Sequence, residues 1–292
     1  MLYEVRMKTT YEYARSAAGG RHLLRLMPSE ISSVQRMVAG VLEISPQPRE
    51  RYDNVDFFGN RTTGVVFAEA HDQIEFVVRA RVERKAPPAP VDVSPPLDAL
   101  RTQVESYRSL GADAPHHFLA PSPLVSPSPA IGAYARGIVA GRGSVLDSVD
   151  AINCAIHADM RYDPEATTVE THMDEAFAAR HGVCQDFSHI MIACLREVGI
   201  PALYVSGFLR TKPPEGRPRL EGADAMHAWV GAWCGTELGW IEFDPTNDMR
   251  VSSDHIVVAR GRDYSDVAPV KGVLWTAGSQ TTRQAVDVIP LD

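Results

Sequence analysis

The sequence has 292 residues, enough for one large domain or two unequal ones, and its apolar fraction of 45% and charged fraction of 23% are ordinary for a globular protein. A net charge of -8 argues against a general nucleic-acid binder, because phosphate contacts need concentrated Lys and Arg. No run approaches the roughly 20 apolar residues of a membrane span, so we expect neither a nucleic-acid nor a membrane partner.

The N-terminus and the cysteine content predict a cytoplasmic protein. Glu4 and Arg6 stand where a signal peptide would need an apolar stretch. The four cysteines are few for this length and lack the dense pattern of a disulfide framework. A reducing compartment therefore fits the chain best. The cysteines are Cys154, Cys184, Cys194 and Cys234.

The first 84 residues predict a small all-β domain. Apolar residues alternate with polar or charged ones in two segments, and two shorter apolar runs lie between those segments. Several short strands with no helical pattern indicate an antiparallel, sandwich-like domain. The predicted strands lie at 3–7, 41–44, 64–68 and 74–82, with turn-rich pairs at 53–54 and 59–60.

Residues 85–96 contain five prolines, which remove backbone donors and favour an extended chain. We assign this segment to a linker; a long loop within one domain is the alternative. Helical spacing follows at 97–110, and further helices are predicted at 130–140 and 144–160. Ser144 is the expected N-cap of the last of these helices.

From Cys184 to Val198, apolar residues recur at three- and four-residue spacing, which predicts a helix. Gly199 follows this helix as a C′ glycine, and Pro201 blocks its continuation. Helices followed by strands indicate an α+β fold, and we assign residues 97–292 to one core that includes the tail strands. The predicted strands lie at 202–209, 225–233, 240–243 and 252–259, with one or two more over 272–290.

Cys184 lies where a thiol can be activated. A free thiol ionises weakly at neutral pH, whereas a helix N-terminus supplies partial positive charge and spare N–H donors that favour the thiolate. Gly182 leaves room for the turn into the helix and for a substrate carbonyl. Cys194 fits a buried structural cysteine better, because it lies on the apolar stripe of the same helix, and Cys154 and Cys234 also look like packing residues.

His227 and Asp244 supply the partners that a nucleophilic thiol needs. His227 lies within an alternating strand, and Asp244 follows Phe243 where the next strand ends at Pro245. Alone, such a histidine is more often structural and such an aspartate is more often a turn residue. Together with Cys184 they form a nucleophile, its base and the group that orients the base.

Four segments of the sequence closely resemble the bacterial transglutaminase-like superfamily. The resemblance is dense from about Tyr162 to Asp248 and looser over the N-terminal strands, which resemble the β domain that precedes this core in bacterial members. The segments are 182–187 (Gly-Val-Cys-Gln-Asp-Phe), 199–207 (Gly-Ile-Pro-Ala-Leu-Tyr-Val-Ser-Gly), 227–230 (His-Ala-Trp-Val) and 243–247 (Phe-Asp-Pro-Thr-Asn).

The resemblance implies a papain-like core with Cys184 as nucleophile, His227 as general base and acid, and Asp244 as orienter. It implies attack on an amide or peptide carbonyl, release of an amine or ammonia, and resolution of the thioester. Bacterial members are often described as cysteine proteases, so hydrolysis of a peptide or protein amide is expected. Transfer to an amine, as in protein-glutamine transglutaminases, is the alternative.

The Cys184 N–H and one further donor are expected to form the oxyanion hole. In animal relatives that donor is a tryptophan upstream of the cysteine, and here no tryptophan precedes Trp229. The candidates for oxyanion or substrate contacts are Gln185, Tyr162 and Trp229. For Asp186, capping of the helix is favoured over contact with substrate.

Two segments near the expected site each have two possible roles. The polar segment 210–222, interrupted by proline and glycine, precedes the His227 strand and is predicted as a substrate-facing flap, with an ordinary solvated loop as the alternative. The segment 261–266 resembles one that is common in the bacterial subgroup, and it fits either a tight turn or a rim of the active site.

Two readings compete with a thiol enzyme. His181, Cys184 and His189 are close enough in sequence to suggest a metal site, but they give no paired Cys-x-x-Cys or His-x-x-x-His and no fourth ligand follows, so we expect neither a metal nor another cofactor. A non-catalytic scaffold on an inactive core is the other alternative. In that alternative the small β domain holds a partner; independently of it, partner binding, substrate recognition and the pairing of two subunits as a homo-oligomer all stay open for this domain.

Overall fold

The computed structural model describes residues 1–87, 91–211, 222, 224–276 and 278–291. Its N-terminal part is a sheet, as predicted. The strands are β1 (Leu2–Leu24), β2 (Gln35–Ser45), β3 (Glu50–Val55), β4 (Arg61–Phe67) and β5 (His71–Arg84), in the order β2-β5-β1-β4-β3.

β1 is one long strand rather than a short one. Its register shifts between Glu12 and Ala17 and again between Ala18 and Gly20, so the strand exchanges β5 for β4 as its partner. Such irregularities bend a strand and interrupt the alternation by which a strand is recognised. The turn expected at 53–54 was also wrong: Asp53 lies in β3, whose residues are all exposed and show no alternation.

Helices occupy the middle of the chain. Ser144 caps α3 by accepting the N–H of Asp147, as predicted. α1 ends four residues before position 110, and α4 had not been predicted. The helices are α1 (Leu97–Ser106), a 3-10 helix (Pro115–Phe118), α2 (Pro129–Val139), α3 (Val145–Asp159), α4 (Met173–Ala179), α5 (Cys184–Glu197) and α6 (Tyr264–Val267). Within the described ranges, none of them is long and apolar enough to cross a membrane.

A second, antiparallel sheet packs against α5. Its central strands β8 and β9 contact that helix, and a separate parallel pair, β6 (Arg161–Tyr162) and β7 (His181–Gly182), lies just before it. The predicted α+β class, with helices on an antiparallel sheet after an all-β part, is confirmed. The sheet runs in the order β11 (Met249–Arg250), β10 (Trp240–Asp244), β9 (Ala225–Trp233), β8 (Ala202–Leu209) and β12 (His255–Gly261).

The two tail strands, β13 (Val270–Trp275) and β14 (Gln280–Leu291), join the N-terminal sheet. β14 pairs with the first half of β1, from Leu2 opposite Leu291 to Tyr13 opposite Gln280. The two ends of the chain therefore share one sheet. The boundaries 1–84, 85–96 and 97–292 remain a prediction; residues 85–87 and 91–96 contain no helix or strand.

Buried polar side chains join the N-terminal sheet to the second sheet. The Gln35 amide donates to the Val257 carbonyl and accepts the Val257 N–H, so it pairs with the backbone of β12. Asn60 bonds the backbone of Arg260 in the same two-way manner. Because each amide satisfies a donor and an acceptor, these contacts fix the N-terminal sheet relative to β12.

Gly207→Ala is expected to destabilise the protein by about 2 kcal/mol. A Cβ at Gly207, in β8, would lie 2.2 Å from the Ile256 carbonyl oxygen and 2.4 Å from the Trp229 ring. Gly137→Ala is the matched control, because no atom lies within 4 Å of a Cβ at that exposed position of α2. The control should gain about 0.5–1 kcal/mol from helix propensity. Urea unfolding measures both changes, and equal effects would contradict the packing argument.

Candidate active site

Cys184 is the first residue of α5 and is half-buried. The Asp186 carboxylate accepts the Val183 N–H at 2.8 Å and the Thr167 hydroxyl at 2.6 Å, so the capping role predicted for Asp186 is confirmed. A Cβ at Gly182 would lie 2.5 Å from that carboxylate. Glycine is therefore required at 182 because the cap occupies the space that a side chain would need.

The four cysteines differ in environment, and all are free thiols. Burial raises the pKa of the Cys194 thiol and raises the pKa of Cys234 to about 12, as suits packing residues. Cys154 is exposed on α3, so its prediction as a packing residue was wrong. Of the four, Cys184 lines a cavity next to a histidine.

His227 lies in β9, and its side chain is 9% exposed. Its Nε2 lies 2.8 Å from Oδ2 of Asp244, the last residue of β10. β9 and β10 are antiparallel neighbours, which brings the two side chains together although 17 positions separate them in sequence. Because Nε2 is bonded to Asp244, Nδ1 is the ring nitrogen that can interact with the Cys184 thiol.

The Asp244 carboxylate is fully buried and accepts hydrogen bonds at both oxygens. Oδ1 accepts the N–H groups of Thr246 at 3.0 Å and Asn247 at 3.2 Å. Oδ2 accepts from His227, from His255 Nε2 at 3.1 Å and from the Asn247 amide at 2.7 Å. Burial alone would raise the pKa of Asp244, but the hydrogen bonds from the two histidines outweigh it and hold the pKa well below its usual range.

His227 is a cation at neutral pH. Burial alone would lower its pKa, but the hydrogen bond to Asp244 and the one to Cys184 raise the pKa of His227 to about 10. Cys184 and His227 thus line one cavity, and the His227 ring is bonded to the buried Asp244 carboxylate.

A cavity of about 280 Å³ contains Cys184 and His227. α5, β8 and β9 supply one side of it, and the N-terminal sheet supplies the other through β1 and β14. Substrate in this cavity would therefore contact both sheets. The lining residues are Thr9, Tyr11, Val169, Val183, Cys184, Gln185, Tyr204, Ser206, Met226, His227, Ala228, Tyr264, Pro269, Val270, Thr282 and Gln284.

The three oxyanion or substrate candidates lie in different places. Gln185 lines the cavity, and its amide donates to the Val169 carbonyl at 3.3 Å. Tyr162 is 54% exposed on β6, opposite Gly182, and is not among the lining residues that the structure describes. Trp229 is fully buried, and its indole N–H donates to Glu242 at 3.1 Å rather than facing the cavity.

Sequence reasoning gave no site role to His255 or Tyr204, and it left open the role of the segment that contains Tyr264. His255 binds Asp244, and the only available signal was a histidine at the start of a strand in the same sheet. Tyr264 lies in the segment 261–266, which had been left open between a turn and a rim. Both readings apply: Asp263 caps α6 through the Ser265 N–H, and Tyr264 lines the cavity.

Metal ligation at this site competes with hydrogen bonding. Ligand atoms of His227, Asp244 and His255 lie within 4.8 Å of one another. Among the residues that the structure describes, this is the group of His, Cys, Asp or Glu side chains close enough together to hold a metal ion. Asp244 Oδ2 already accepts three hydrogen bonds, so a metal would have to displace donors from a fully buried oxygen. The set suggested by sequence does not form, because His189 Nε2 instead accepts the Tyr264 N–H.

The flap predicted at 210–222 lies outside the described residues, apart from Arg210, Thr211 and Gly222. Asp224, which follows, accepts the Thr211 N–H at 2.6 Å and the Val288 N–H at 2.6 Å. The entry to β9, and hence His227, is therefore held against β14 of the N-terminal sheet.

Comparison with known proteins agrees with this geometry. The Transglutaminase-like superfamily profile matches residues 132–245, and the Bacterial transglutaminase-like N-terminal region profile matches residues 3–83. The uncharacterized protein Rv2569c of Mycobacterium tuberculosis is 34% identical over 302 residues, covering 99% of this chain and 93% of that protein. The uncharacterized protein ML0607 of Mycobacterium leprae is 29% identical over 287 residues, covering 97% and 96%.

A solved structure supports the fold. A crystal structure from Cytophaga hutchinsonii named "Putative Cysteine Protease" matches with a TM-score of 0.75 at 22% identity, covering 100% of this chain and 91% of that chain. The match spans both halves of the molecule, with the N-terminal sheet and the papain-like core in one chain. The resemblance inferred from the sequence is therefore confirmed: the chain belongs to the transglutaminase-like superfamily, in the bacterial form that carries an N-terminal β region.

Proposed function

We propose that this protein is a cysteine-dependent acyl-transfer enzyme that cleaves amide or peptide bonds through a thioester on Cys184, with water as the usual acceptor. The observation that carries the proposal is that the Cys184 thiol lines the same cavity as His227, whose ring is bonded to the buried Asp244 carboxylate. A structural thiol needs no such partners, whereas a thiol nucleophile needs both.

The first half of the reaction forms the acyl-enzyme. The Cys184 thiolate attacks the carbonyl carbon, and the carbonyl π electrons move to oxygen. The tetrahedral intermediate then collapses: the C–N bond breaks, and the leaving nitrogen takes the proton from the His227 imidazolium. Asp244 balances the charge on the ring while it is protonated and holds the ring orientation.

In the second half, neutral His227 takes a proton from water as the water oxygen attacks the thioester. The C–S bond breaks, the acid departs, and the thiolate and imidazolium are restored. An amine in place of water gives a new amide by the same steps. The Cys184 N–H, at the first residue of α5, is suited to stabilise the oxyanion. Gln185 and Tyr162 remain predictions for the second donor.

The experiment is mass spectrometry of a glutamine-containing peptide library after incubation with the wild-type protein, with and without a primary amine. Cleaved peptides or gains of about one mass unit from deamidation indicate hydrolysis, and amine adducts indicate transfer. The acyl-enzyme should appear as a mass increment on Cys184 in quenched samples, since the thioester forms in either case.

Cys184→Ala is the control for this assay and should show neither products nor the acyl adduct. Cys154→Ala removes an exposed thiol outside the cavity and should behave as wild type. Equal product in wild type and Cys184→Ala would disprove the nucleophile. A wild-type protein with no product, no adduct and no preferential labelling of Cys184 by iodoacetamide would favour the scaffold alternative.

A further inference from the structure

Asp244 is shared by two histidines. Its Oδ2 accepts from His227 Nε2 at 2.8 Å and from His255 Nε2 at 3.1 Å, and the side chains of Asp244 and His255 are 0% exposed. The second histidine therefore binds the same carboxylate oxygen as the histidine that lines the cavity. A chain of four side chains therefore replaces a simple triad.

The hydrogen bonds of His255 indicate its tautomer. Its Nδ1 accepts the Ser252 N–H at 3.3 Å, and a backbone N–H can only donate. The proton of the neutral ring is thus on Nε2, which donates to Asp244. The Trp229 ring packs edge-on against the His255 ring at 5.2 Å between centroids and closes it off from solvent.

We propose that His255 is a positioning residue of the thiol site: its Nε2–H holds Asp244 and draws part of the carboxylate charge away from His227, so that the imidazolium can release its proton to the leaving amine. The inference rests on the proposed function, because it assigns His255 a role in the same proton transfer. His255 is not itself among the described residues that line the cavity, and its hydrogen bond toward the site goes to Asp244, so it acts through Asp244.

The direction of the change in the His227 pKa follows because both histidines donate to the same oxygen of Asp244. A carboxylate oxygen that already accepts one hydrogen bond has less charge available for a second donor. Without the His255 donor, the same oxygen would stabilise the His227 imidazolium more strongly, and the pKa of His227 would rise. A hydrogen bond to a charged group corresponds to a shift on the order of one pH unit.

Other charged groups near the two rings are already paired. Behind Trp229, Glu242 on β10 is bonded to Arg260 of β12 and lies 3.7 Å from Arg84 of β5. Beside His255, Asp254 accepts the Tyr3 hydroxyl at 2.9 Å and lies 3.4 Å from Arg210. These pairs offset the charges near the two histidines, and among the described residues Asp244 and Cys184 are the groups that raise the pKa of His227.

The test compares variants with and without the Nε2 donor. His255→Phe keeps a ring of similar size and has no donor. His255→Asn has an amide that reaches only the position of Nδ1, and the longer amide of His255→Gln reaches the position of Nε2. His71→Phe is the matched control, since it removes a buried histidine from the N-terminal sheet, outside the cavity lining.

The primary measurement is the ¹⁵N NMR signal of His227 in full-length protein at pH 10, with iodoacetamide labelling of Cys184 at pH 6 as the second. Wild-type His227 should be about half protonated at pH 10, because burial, Asp244 and Cys184 together bring its pKa to about 10. His255→Phe and His255→Asn should be roughly nine-tenths protonated. His255→Gln and His71→Phe should match wild type.

An unchanged or lower protonated fraction in the donor-free variants overturns the role of His255. If one donor-free variant fails to fold, the other gives the result, because they differ in size and polarity. Failure of the proposed function is distinguishable: wild-type Cys184 would then label no faster than exposed Cys154 at pH 6. A shifted His227 signal with a reactive Cys184 supports both proposals.

Discussion

Asp244→Asn is expected to slow the Cys184-dependent reaction by about 10³–10⁴-fold. Both oxygens of Asp244 accept and neither donates: Oδ1 faces two backbone N–H groups, and Oδ2 faces two histidines and the Asn247 amide. An asparagine at this position would, in either orientation of its amide, point its NH₂ group at a neighbour that also donates. The variant also loses the negative charge that, with the Cys184 hydrogen bond, keeps His227 protonated.

The Asp244→Asn substitution should lower the reaction rate through the lost charge and lower the stability through the lost hydrogen bonds, and the two effects can be measured separately. Rates of acyl-enzyme formation and product release are measured by quenched mass spectrometry, and stability by urea unfolding. Asp263→Asn is a matched control, because Asp263 is also fully buried and accepts the N–H groups of Leu124 and Ser265. Both variants should lose stability, on the order of 2 kcal/mol. A rate in Asp244→Asn within tenfold of the Asp263→Asn rate would contradict the orienting role.

The stability contributed by the His227–Asp244 pair is expected to depend on pH by about 3–5 kcal/mol. Unfolded histidine loses its proton near pH 6.5, whereas folded His227 has a pKa of about 10. The folded state therefore binds more protons between these values. The stabilisation by His227 is complete below pH 6.5 and is lost as the pH rises through 10.

Asp244 changes stability in the opposite direction at low pH. Hydrogen bonds hold its pKa below the usual value, so its contribution is present above about pH 4 and is lost as the pH falls through the depressed folded pKa. Together the two groups predict that the pair is most stabilising between about pH 4.5 and 6.5.

Urea unfolding of wild type and His227→Gln at pH 6 and pH 9.5 measures the effect. The difference in unfolding free energy between them should shrink at the higher pH. The same substitution in an Asp244→Asn background is the control, because without the carboxylate the raised pKa of His227 loses its main support and the pH dependence should largely disappear. A wild-type advantage that grows toward pH 9.5 would show that His227 is buried as a neutral ring.

Local signals in the sequence were sufficient to predict helices, strands and caps that depend on residues within a single element. The α5 periodicity with Gly199 behind it, the Ser144 cap and the bounds of β8 and β9 all follow from side-chain spacing and cap chemistry within about fifteen residues. Gly199 has a φ of 82°, which explains why the helix ends at a glycine. β3 and the second half of β1 were missed because full exposure and register shifts remove alternation.

The sequence by itself determined the family, and it predicted the residues of the proposed chemistry: a thiol at a helix start, and a histidine and an aspartate on following strands. Only the tertiary structure decided that His255 shares the Asp244 carboxylate, that the Trp229 N–H is occupied by Glu242, and that both chain ends form a wall of the cavity. The reason is physical. Caps and periodicity act between neighbours in sequence, whereas hydrogen bonds across strands depend on sheet order and register, which long-range packing determines.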